Sequence, residues 1–531
     1  MLQESLICKF VYNICSYLGR IWPDSFIALI FRKAGAFFKA LFSGSFIAGI
    51  VAREGIVNRT YEGSLLFRLV DGLLNLPQRL LHPLYKKTEI VFGESLLFKI
   101  LLFILDRLHL LIAGFIFIAL IVPDQKWYNM YSTIAMAALL FLYFLKTIVD
   151  GRTGFHTGAF NVFLVLFIVC IILAEVFSIM PGNSLRFLAF YLTCFMLVLL
   201  LIATIRTKKD MRGFLAVAFV GMTAASLYGV YQQIIHVPVN PAWVDTSVNQ
   251  GSMTRVYSFF GNPNNFAEII LLFLPFYFAA LFNTKSALMK LVYLALACPL
   301  FLSLVFTQTR IAWIAFVIAG VVYLFFKEKR LIPVFILLGV ASIPFLPQSI
   351  IMRLRTITNV LDSSVKTRIQ VWQTVLPILK DYWFTGLGLG NETLLRVSKN
   401  YYIFVAKGSI PSHSHNLYLQ LWIETGLPGI LAFFAFLGTI IKKSIKFFYQ
   451  NKRDAFINNI LIAGLSALVG TLAIGMAEYV WFYPRVMLFF WAVIGIMLAA
   501  LNIGARELEQ AADGRAGIEA ESEEEEQDVA V

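Results

Sequence analysis

The sequence predicts an all-α polytopic membrane protein with about twelve transmembrane helices. Of the 531 residues, 59% are hydrophobic and only 14% are charged, whereas soluble domains average about a quarter charged residues. Apolar runs long enough to cross a hydrocarbon core of about 30 Å recur along the chain. Because lipid offers no hydrogen-bond partners to an open backbone, these runs must form helices.

Twelve apolar runs are the predicted spans. They occupy residues 108–122, 128–149, 158–180, 185–205, 213–235, 264–282, 288–307, 311–326, 331–347, 425–441, 456–475 and 484–503. A polar stretch at 348–424 separates the ninth span from the tenth and predicts one large extracytoplasmic loop. The membrane domain is therefore expected at 108–503.

Lysine and arginine in the short connections predict the orientation, because cytoplasmic loops carry an excess of these residues. If the amino terminus is cytoplasmic, the inside connections hold sixteen such residues and the short outside connections hold five. The five outside residues are Lys126, Arg186, Arg255, Arg310 and Arg485. We therefore expect a multi-pass protein of the cytoplasmic membrane with both termini in the cytoplasm.

The two ends of the chain differ from the central domain. Residues 1–107 begin with a mildly hydrophobic stretch broken by arginine and proline, which predicts helices lying in the cytoplasmic interface. Residues 504–531 hold ten acids against two arginines, and we expect a disordered cytoplasmic tail because the run E-S-E-E-E-E has nothing to bury. A regulatory tail is the alternative interpretation.

Several functional classes leave no trace in the sequence. None of the five cysteines shows C-x-x-C spacing, so neither a metal site nor a disulfide framework is expected. The chain contains no G-x-x-x-x-G-K-S/T loop and no dinucleotide fingerprint, so we expect no nucleotide cofactor. Nothing indicates a nucleic-acid partner, and the expected surroundings are membrane lipids.

The stretch P-S-H-S-H-N-L-Y-L-Q-L-W-I-E-T-G-L-P-G, at 411–429, joins the large loop to the tenth span. It places His413 and His415 where water meets lipid, and histidine can exchange a proton near neutral pH. A single histidine at a membrane surface is usually structural. Two histidines beside arginines predicted on the same face favour chemistry on a lipid-linked anion.

Two arginines precede predicted spans on the outer side. Arg255 lies seven residues before the turn N-P-N-N, and Glu268 follows inside the next span. The asparagines Asn264 and Asn265 are candidates to cap that helix, which is an ordinary structural role. Arg310 ends the tight turn T-Q-T-R, where its planar fork suits bidentate contact with phosphate oxygens. Snorkelling to lipid headgroups is the alternative.

The large loop supplies a third arginine. In V-K-T-R-I-Q-V-W, Arg368 and Trp372 lie four residues apart, on one face of an amphipathic helix. The following G-L-G-L-G-N breaks that helix and is expected to expose backbone N–H groups at the membrane surface. Three carboxylates near the outer level either take part in function or pair with these arginines: Glu175, Glu424 and Glu478.

Together these motifs resemble the O-antigen ligase and O-antigen polymerase superfamily. The resemblance rests on Arg255 with the N-P-N turn, T-R at 309–310, R-x3-W before G-x-G-x-G, and ten residues between His415 and Gly426. The histidine-to-glycine spacing, inside a large outside loop, is the most specific element. The resemblance covers roughly 190–500.

The resemblance implies a bacterial integral-membrane glycosyltransferase of the GT-C type. Such proteins take a glycan from an undecaprenyl-diphosphate-linked donor at the outer face of the cytoplasmic membrane. They pass it to a hydroxyl on a glycan, a lipid or a wall polymer, in cell-surface polysaccharide biosynthesis. The resemblance implies no nucleotide sugar and no obligatory metal. Polymerases extend the glycan and ligases move it to another carrier, and these motifs do not separate the two.

Elementary chemistry suggests roles for the candidate residues. A diphosphate leaving group develops negative charge, which arginines stabilise in a poorly solvated site, so Arg255, Arg310 and Arg368 are the expected diphosphate-binding residues. His415 is the expected general base, acting with Arg310 and Arg255 as the catalytic set. Further candidates are His413, Glu268, Glu424 and Trp372. Direct attack by the hydroxyl predicts an inverting reaction.

A different class of protein remains open from the sequence. A multi-pass transporter or flippase for a lipid-linked or anionic substrate would also have many spans and membrane-depth carboxylates. Such a protein needs its charged residues near mid-span. The candidate residues here are predicted at the outer rim, which favours the enzyme.

Overall fold

The computed structural model describes residues 51–151, 154–155, 161–238, 240, 254–355, 363–401 and 412–529, together with seven isolated positions before residue 51. Within these residues every regular element is a helix, which agrees with the all-α class predicted from composition. Most of the interfacial helices expected in residues 1–50 lie outside the described residues. Parts of the large loop, at 356–362 and 402–411, lie outside them as well.

Eighteen α-helices follow one another in the described chain. The first nine are α1 (Glu54–Glu62), α2 (Leu65–Gly93), α3 (Leu96–Leu105), α4 (Leu108–Ile121), α5 (Asn129–Asp150), α6 (Val162–Val176), α7 (Pro181–Thr204), α8 (Lys208–Ile234) and α9 (Pro263–Asn283). The other nine are α10 (Ala287–Phe306), α11 (Arg310–Glu328), α12 (Ile332–Ser342), α13 (Gln348–Arg355), α14 (Ser363–Asp381), α15 (Asn391–Ser398), α16 (Leu417–Gln450), α17 (Ala455–Gly475) and α18 (Pro484–Val529).

Nine stretches of the described chain are long and apolar enough to cross a membrane, and there are ten if the bent pair α3 and α4 forms one span. The axes of these two helices differ by 67°. Helix α6 has only 15 residues. It ends at Val176, and the chain turns before α7 begins at Pro181. The polytopic class is thus confirmed, whereas the expected number of twelve spans is not.

The predicted eighth and ninth spans form one apolar stretch, Arg310–Phe345, that folds back on itself. The ring of Phe335 in α12 lies 6.0 Å from the ring of Phe316 in α11. In one straight helix, 19 residues at 1.5 Å each would separate them by roughly 28 Å. The chain therefore reverses in the 3-10 turn Lys329–Leu331. This hairpin returns the chain to the end of the bundle where α11 begins.

The remaining helices pack into one apolar interior. Helix α18 contributes Phe489 and Trp491, whose side chains are fully buried, and it packs on α7 and α17. Further close pairs are α4 with α8, α6 with α16, and α17 with both α9 and α11. The basic connections predicted on one face meet at one end of this bundle, where Lys208 lies 3.2 Å from Asp454 and 2.6 Å from Glu507.

The backbone of α18 continues to Val529, although residues 504–531 were expected to be disordered. The physical reason is local. The tail is rich in alanine and glutamate, which are good helix formers, so the helical backbone can continue beyond the packed part of α18.

Candidate functional site

A cavity of about 530 Å³ lies at the end of the bundle where α9 and α11 begin. Chain segments far apart in sequence line it: the connection before α9, the start of α11, α13, α14, and the connections before α16 and α18. Six of the residues predicted for the site line it: Arg255, Glu268, Arg310, Arg368, His413 and His415. Four residues predicted on separate loops of one face are thus brought together with two further candidates.

Arg255 is held in place by backbone and side-chain oxygens. Its Nε donates to the carbonyl oxygen of Thr307 at 3.0 Å, and its terminal nitrogen donates to Asn264 Oδ1 at 3.1 Å and Thr309 Oγ1 at 3.4 Å. The side chain of Asn264 thus serves this arginine, while Asn262 is the residue that caps α9. The sequence had suggested Asn264 or Asn265 for the cap.

Three arginines crowd one wall of the cavity. Arg310 opens α11, and Arg353 arrives from α13 with its Nε 3.3 Å from the carbonyl oxygen of Gln308. Burial, together with the charges of Arg353 and Arg310, lowers the pKa of Arg255 to about 9. Arg255 therefore keeps its charge at neutral pH, and positive charge is concentrated on this wall of the cavity.

Glu478 links the histidine to Arg368. Nδ1 of His415 lies 3.2 Å from Glu478 Oε1, and Arg368 donates to Glu478 Oε2 at 3.0 Å. The Nε of Arg368 donates to the carbonyl oxygen of Ala477 at 2.6 Å. Burial alone would raise the pKa of Glu478, but the hydrogen bond from His415 and the charge of Arg368 lower it to about 2.

The pairing with Glu478 fixes the tautomer of His415. A carboxylate only accepts hydrogen bonds, so Nδ1 of His415 carries a proton, and in the neutral imidazole Nε2 is then the accepting nitrogen. The backbone at His415 has a φ of 49°, a left-handed conformation that costs a residue other than glycine about 1–3 kcal/mol. This strain is maintained by its neighbour Asn416, whose side chain caps α16 and donates to the carbonyl oxygen of Met476 at 2.8 Å.

His413 is a packing residue beside the proposed base. Its ring stacks on Phe482 with centroids 4.3 Å apart and lies 4.1 Å from the ring of His415. Burial, with the charges of His415 and Arg368, lowers the pKa of His413 to about 3, although Glu478 acts in the opposite direction. His413 is therefore neutral at physiological pH.

Two predicted residues do not line the cavity in the described part of the chain. Trp372 lies behind the histidines, where its indole N–H donates to the carbonyl oxygen of Ser414 at 2.9 Å. Glu424 is buried deeper, where its Oε1 accepts from Gln420 at 2.9 Å and from Tyr479 at 3.4 Å. Both residues support the segment that carries His415.

Gly426 explains the glycine of the histidine-to-glycine spacing. It breaks α16 with a φ of 68°, and a Cβ at this position would collide with the carbonyl oxygen of Phe384. The strip G-L-G-L-G at 386–390 packs against this break. The N–H of Leu387 donates to the backbone carbonyl oxygen of Ile423 at 2.7 Å, and the N–H of Gly388 donates to the backbone carbonyl oxygen of Glu424 at 3.2 Å. The prediction that this strip exposes its N–H groups is wrong for these two residues.

Glu268 lines the cavity from the first turns of α9. Its side chain is 1% exposed, and its Oε1 is buried without a hydrogen-bond partner among the described residues. An unpaired buried acceptor is costly, so this position is suited to a donor brought by a ligand.

His413, His415 and Glu478 each offer one donor atom, and these atoms lie within 4.8 Å of one another. The spacing alone would suit a transition metal. The electrostatics do not, because Arg368 is bonded to Glu478 and three further arginines line the same cavity. The donor set is therefore better suited to proton transfer beside an anion.

Sequence reasoning missed two residues of the site. Arg353 lies in α13, outside every motif that the sequence analysis considered, and only the α11–α12 hairpin brings it back to Gln308. Glu478 was noted as a carboxylate at the outer level, without its bonds to Arg368 and His415. The signal for Glu478 was its position two helices after the histidine segment, just beyond the carboxyl-terminal end of α17, because two consecutive spans return the chain to the same face.

The fold and the cavity define a polytopic membrane protein in which four arginines and a histidine–glutamate pair line one cavity. Residues 270–434 match the family model described as O-antigen ligase. This match confirms the resemblance to the O-antigen ligase and polymerase superfamily, and the matched segment includes Arg310, Arg353, Arg368 and His415. It supports glycan processing of the ligase or polymerase type in a membrane. No curated protein matches the chain.

Proposed function

We propose that the chain is a membrane glycosyltransferase that transfers or polymerises an oligosaccharide from an undecaprenyl-diphosphate-linked donor to an acceptor hydroxyl. The observation that carries the proposal is the meeting, in one cavity, of three arginines from separate segments with the His415–Glu478 pair. The arginines suit a diphosphate, and the imidazole suits the proton of a hydroxyl.

The diphosphate is assigned to the wall formed by Arg255, Arg310 and Arg353. Their charges repel one another, and this repulsion is relieved when an anion binds between them. Fixed guanidinium groups also stabilise the charge that develops on the leaving diphosphate. Arg368 was expected to join them, but its contacts with Glu478 and Ala477 favour a positioning role.

The proton is assigned to His415. Glu478 holds Nδ1–H, so that Nε2 takes the proton of the acceptor hydroxyl. The hydroxyl oxygen bonds to the anomeric carbon while the bond from that carbon to the diphosphate oxygen breaks, and its electron pair leaves with the diphosphate. Direct displacement inverts the anomeric configuration, and the step uses neither a metal ion nor a nucleotide sugar.

The cavity is assigned to the outer face of a bacterial cytoplasmic membrane, with both termini in the cytoplasm. In a variant without the native cysteines, Ser412→Cys should react with an impermeant thiol reagent in intact cells. Lys452→Cys, at the other end of the bundle, should react only after the membrane is opened. The reverse pattern would place the cavity in the cytoplasm and overturn this topology.

The catalytic proposal is tested on purified protein with a lipid-linked glycan donor. Loss of a general base costs about 10²–10⁴-fold in rate, so His415→Ala should fall in this range while remaining folded. His413→Ala, the matched control on the same loop, should lose clearly less.

Near-parent turnover by His415→Ala would refute the proposed base and make the carboxylates the candidates. A transporter would instead move the donor across a liposome bilayer without changing the length of its glycan. The polar groups of this cavity lie at helix ends rather than at mid-span, which favours the enzyme.

A further inference from the structure

A second cavity, of about 320 Å³, lies at the opposite end of the bundle. Helix α9 connects the two, because its first turns line the candidate site and its last residue, Asn283, lines this cavity. The polar part of the lining consists of Arg212, Asn283, Thr284, Lys285 and Tyr293. Within the described part of the chain, the lining contains no carboxylate.

A chain of hydrogen bonds decides which atom Asn283 presents to this cavity. The ammonium group of Lys327 donates to Asn459 Oδ1 at 2.8 Å, and lysine has no acceptor, so the amide of Asn459 has one orientation. Asn459 Nδ2 then donates to Asn283 Oδ1 at 2.7 Å. Asn283 is thereby left with its Nδ2 donor, which is buried without a partner among the described residues.

The charged groups around this donor are complementary to an anion. The guanidinium of Arg212 lies 4.8 Å from the ring centroid of Phe456, and Lys285 follows α9 directly. A neighbouring cavity, which Arg212 also lines, contains Asp454 and Glu507, and both of these carboxylates pair with Lys208. An unpaired buried donor on a residue that lines a cavity together with two cations calls for an acceptor that carries negative charge.

The rest of the lining is apolar and continues toward lipid. Leu215, Phe219, Ala280 and Ile460 form its inner wall. Ala216 in the lining is exposed, and Val220, one turn further along α8, is 58% exposed. A polar mouth that leads onto an exposed apolar helix face suits a molecule with an anionic head and an acyl chain.

We propose that this cavity binds the phosphate group of an anionic phospholipid from the leaflet at this end of the bundle. The phosphate oxygens accept from Asn283 Nδ2, Arg212 and Lys285, and an acyl chain lies along α8. Basic pockets between membrane helices are known to bind such headgroups. The apolar wall favours a lipid over free phosphate. The inference does not depend on the proposed glycosyltransferase activity.

The test uses delipidated full-length protein in a neutral detergent. Phosphatidylglycerol should raise the thermal unfolding midpoint, and native mass spectrometry should detect it as a retained lipid, whereas phosphatidylcholine should do neither. Arg212→Ala and Lys285→Ala should each weaken phosphatidylglycerol binding about fivefold. Asn283→Asp should abolish it, since a carboxylate oxygen replaces the donor and the acceptor for Asn459 is kept.

Lys329→Ala is the matched control, because Lys329 is an exposed lysine at the same end but outside the lining. Its phosphatidylglycerol affinity should equal that of the parent. Equal effects of the two lipids, or equal affinity in Arg212→Ala and the parent, would overturn the site. A midpoint shift by inorganic phosphate as large as that by phosphatidylglycerol would overturn the lipid assignment. If Asn283→Asp does not fold, Arg212→Ala decides alone, because the Arg212 side chain is exposed.

Discussion

One arginine, Arg485, and a cluster of three arginines lie at the same end of the bundle and differ in what their guanidinium groups face. Arg485 is fully buried, and the protein surrounds it. It donates to Asp124 at 3.0 Å, to the Tyr483 hydroxyl at 2.7 Å, and to the carbonyl oxygens of Val122 and Phe259 at 2.7 and 3.1 Å. Arg255 is almost as buried, yet it lines a cavity together with two further arginines.

Burial therefore does not separate a structural arginine from a functional one. Arg485 was counted among the cations of the outside connections, and the structure uses its charge to hold three connections together. One of these contacts, at Phe259, lies in the segment that carries Arg255. The closed cluster around Arg485 thus supports the open cluster of Arg255, Arg310 and Arg353, and the two should respond differently to mutation.

The largest effect is expected from Arg485→Ala. Arg485→Ala removes the donor that serves the Tyr483 hydroxyl and the carbonyl oxygens of Val122 and Phe259. Each acceptor left unsatisfied inside the protein costs about 1–3 kcal/mol in the free energy of unfolding. The thermal unfolding midpoint in detergent should fall sharply, and the yield of inserted protein should fall with it. Arg310→Ala is the comparison, and its midpoint should stay close to that of the parent. Equal losses of stability would remove the distinction between the two clusters.

Arg310→Lys should give the opposite pattern. Lysine keeps the charge but not the bidentate fork, so turnover on a lipid-linked donor should fall by about 10²–10³-fold while the unfolding midpoint is unchanged. Arg255→Ala should lose activity to a similar extent and some stability as well, because it also breaks the bonds to Thr307 and Asn264. A lysine variant as active as the parent would show that charge alone suffices at Arg310.

Glu478→Gln should reduce turnover roughly 10- to 100-fold, the equivalent of one charged hydrogen bond of about 1.5–3 kcal/mol. The unfolding midpoint at low pH is a second test of the pairing of Glu478. Because the pKa of Glu478 is lowered to about 2, its carboxylate stabilises the fold above its ordinary range, and this stability is lost as the pH falls toward 2. The glutamine variant should lose less stability in that interval, and an identical acid profile would contradict the pairing.

His413→Phe should retain activity to within a few-fold, because phenylalanine preserves the stack on Phe482. The pKa of His413 is lowered to about 3, so the parent loses stability as the pH falls from about 6.5 toward 3, where the unfolded chain binds the extra proton. Between pH 4.5 and 6.5, above the range of Glu478, the variant should be less sensitive to acid. A loss of activity in His413→Phe as large as that in His415→Ala would show that His415 is the wrong choice of base.

The smallest effect is expected from Arg186→Ala. This arginine, which the charge pattern predicts on the outside, pairs with Glu392, and its side chain is 62% exposed. Exposed pairs contribute about 0–1 kcal/mol, so both turnover and the unfolding midpoint should remain close to those of the parent. A large loss of activity at Arg186 would mean that any outer-face arginine gives the effect attributed to Arg310.

The grouping of the candidate residues could be predicted from sequence. Alternating spans and the excess of lysine and arginine on one side place Arg255, Arg310, Arg368 and His415 on one face. Helix ends then bring them to one rim of the bundle. These are consequences of hydrophobicity and charge, which act locally and leave a clear pattern.

The partners within the site could not be predicted in the same way. Arg353 comes near Gln308 only because α12 folds back on α11, and a run of apolar residues does not reveal such a hairpin. The number of spans was uncertain for the same reason. The particular bond between Arg368 and Glu478 could not be located, because a hydrogen bond between distant segments has no periodicity in sequence.

The break at Gly426 has a consequence for the length of the segment that precedes it. Nine residues of helix, 417–425, separate the cap of α16 from this break and span roughly 14 Å at 1.5 Å per residue. One end of the segment is fixed against Phe384, so the helix sets both the distance and the rotation of the residues at its other end. One inserted residue would rotate His415 by about 100° around the helix axis and turn it away from Glu478. The ten residues between His415 and Gly426 thus determine the direction in which His415 faces as well as its distance from the break.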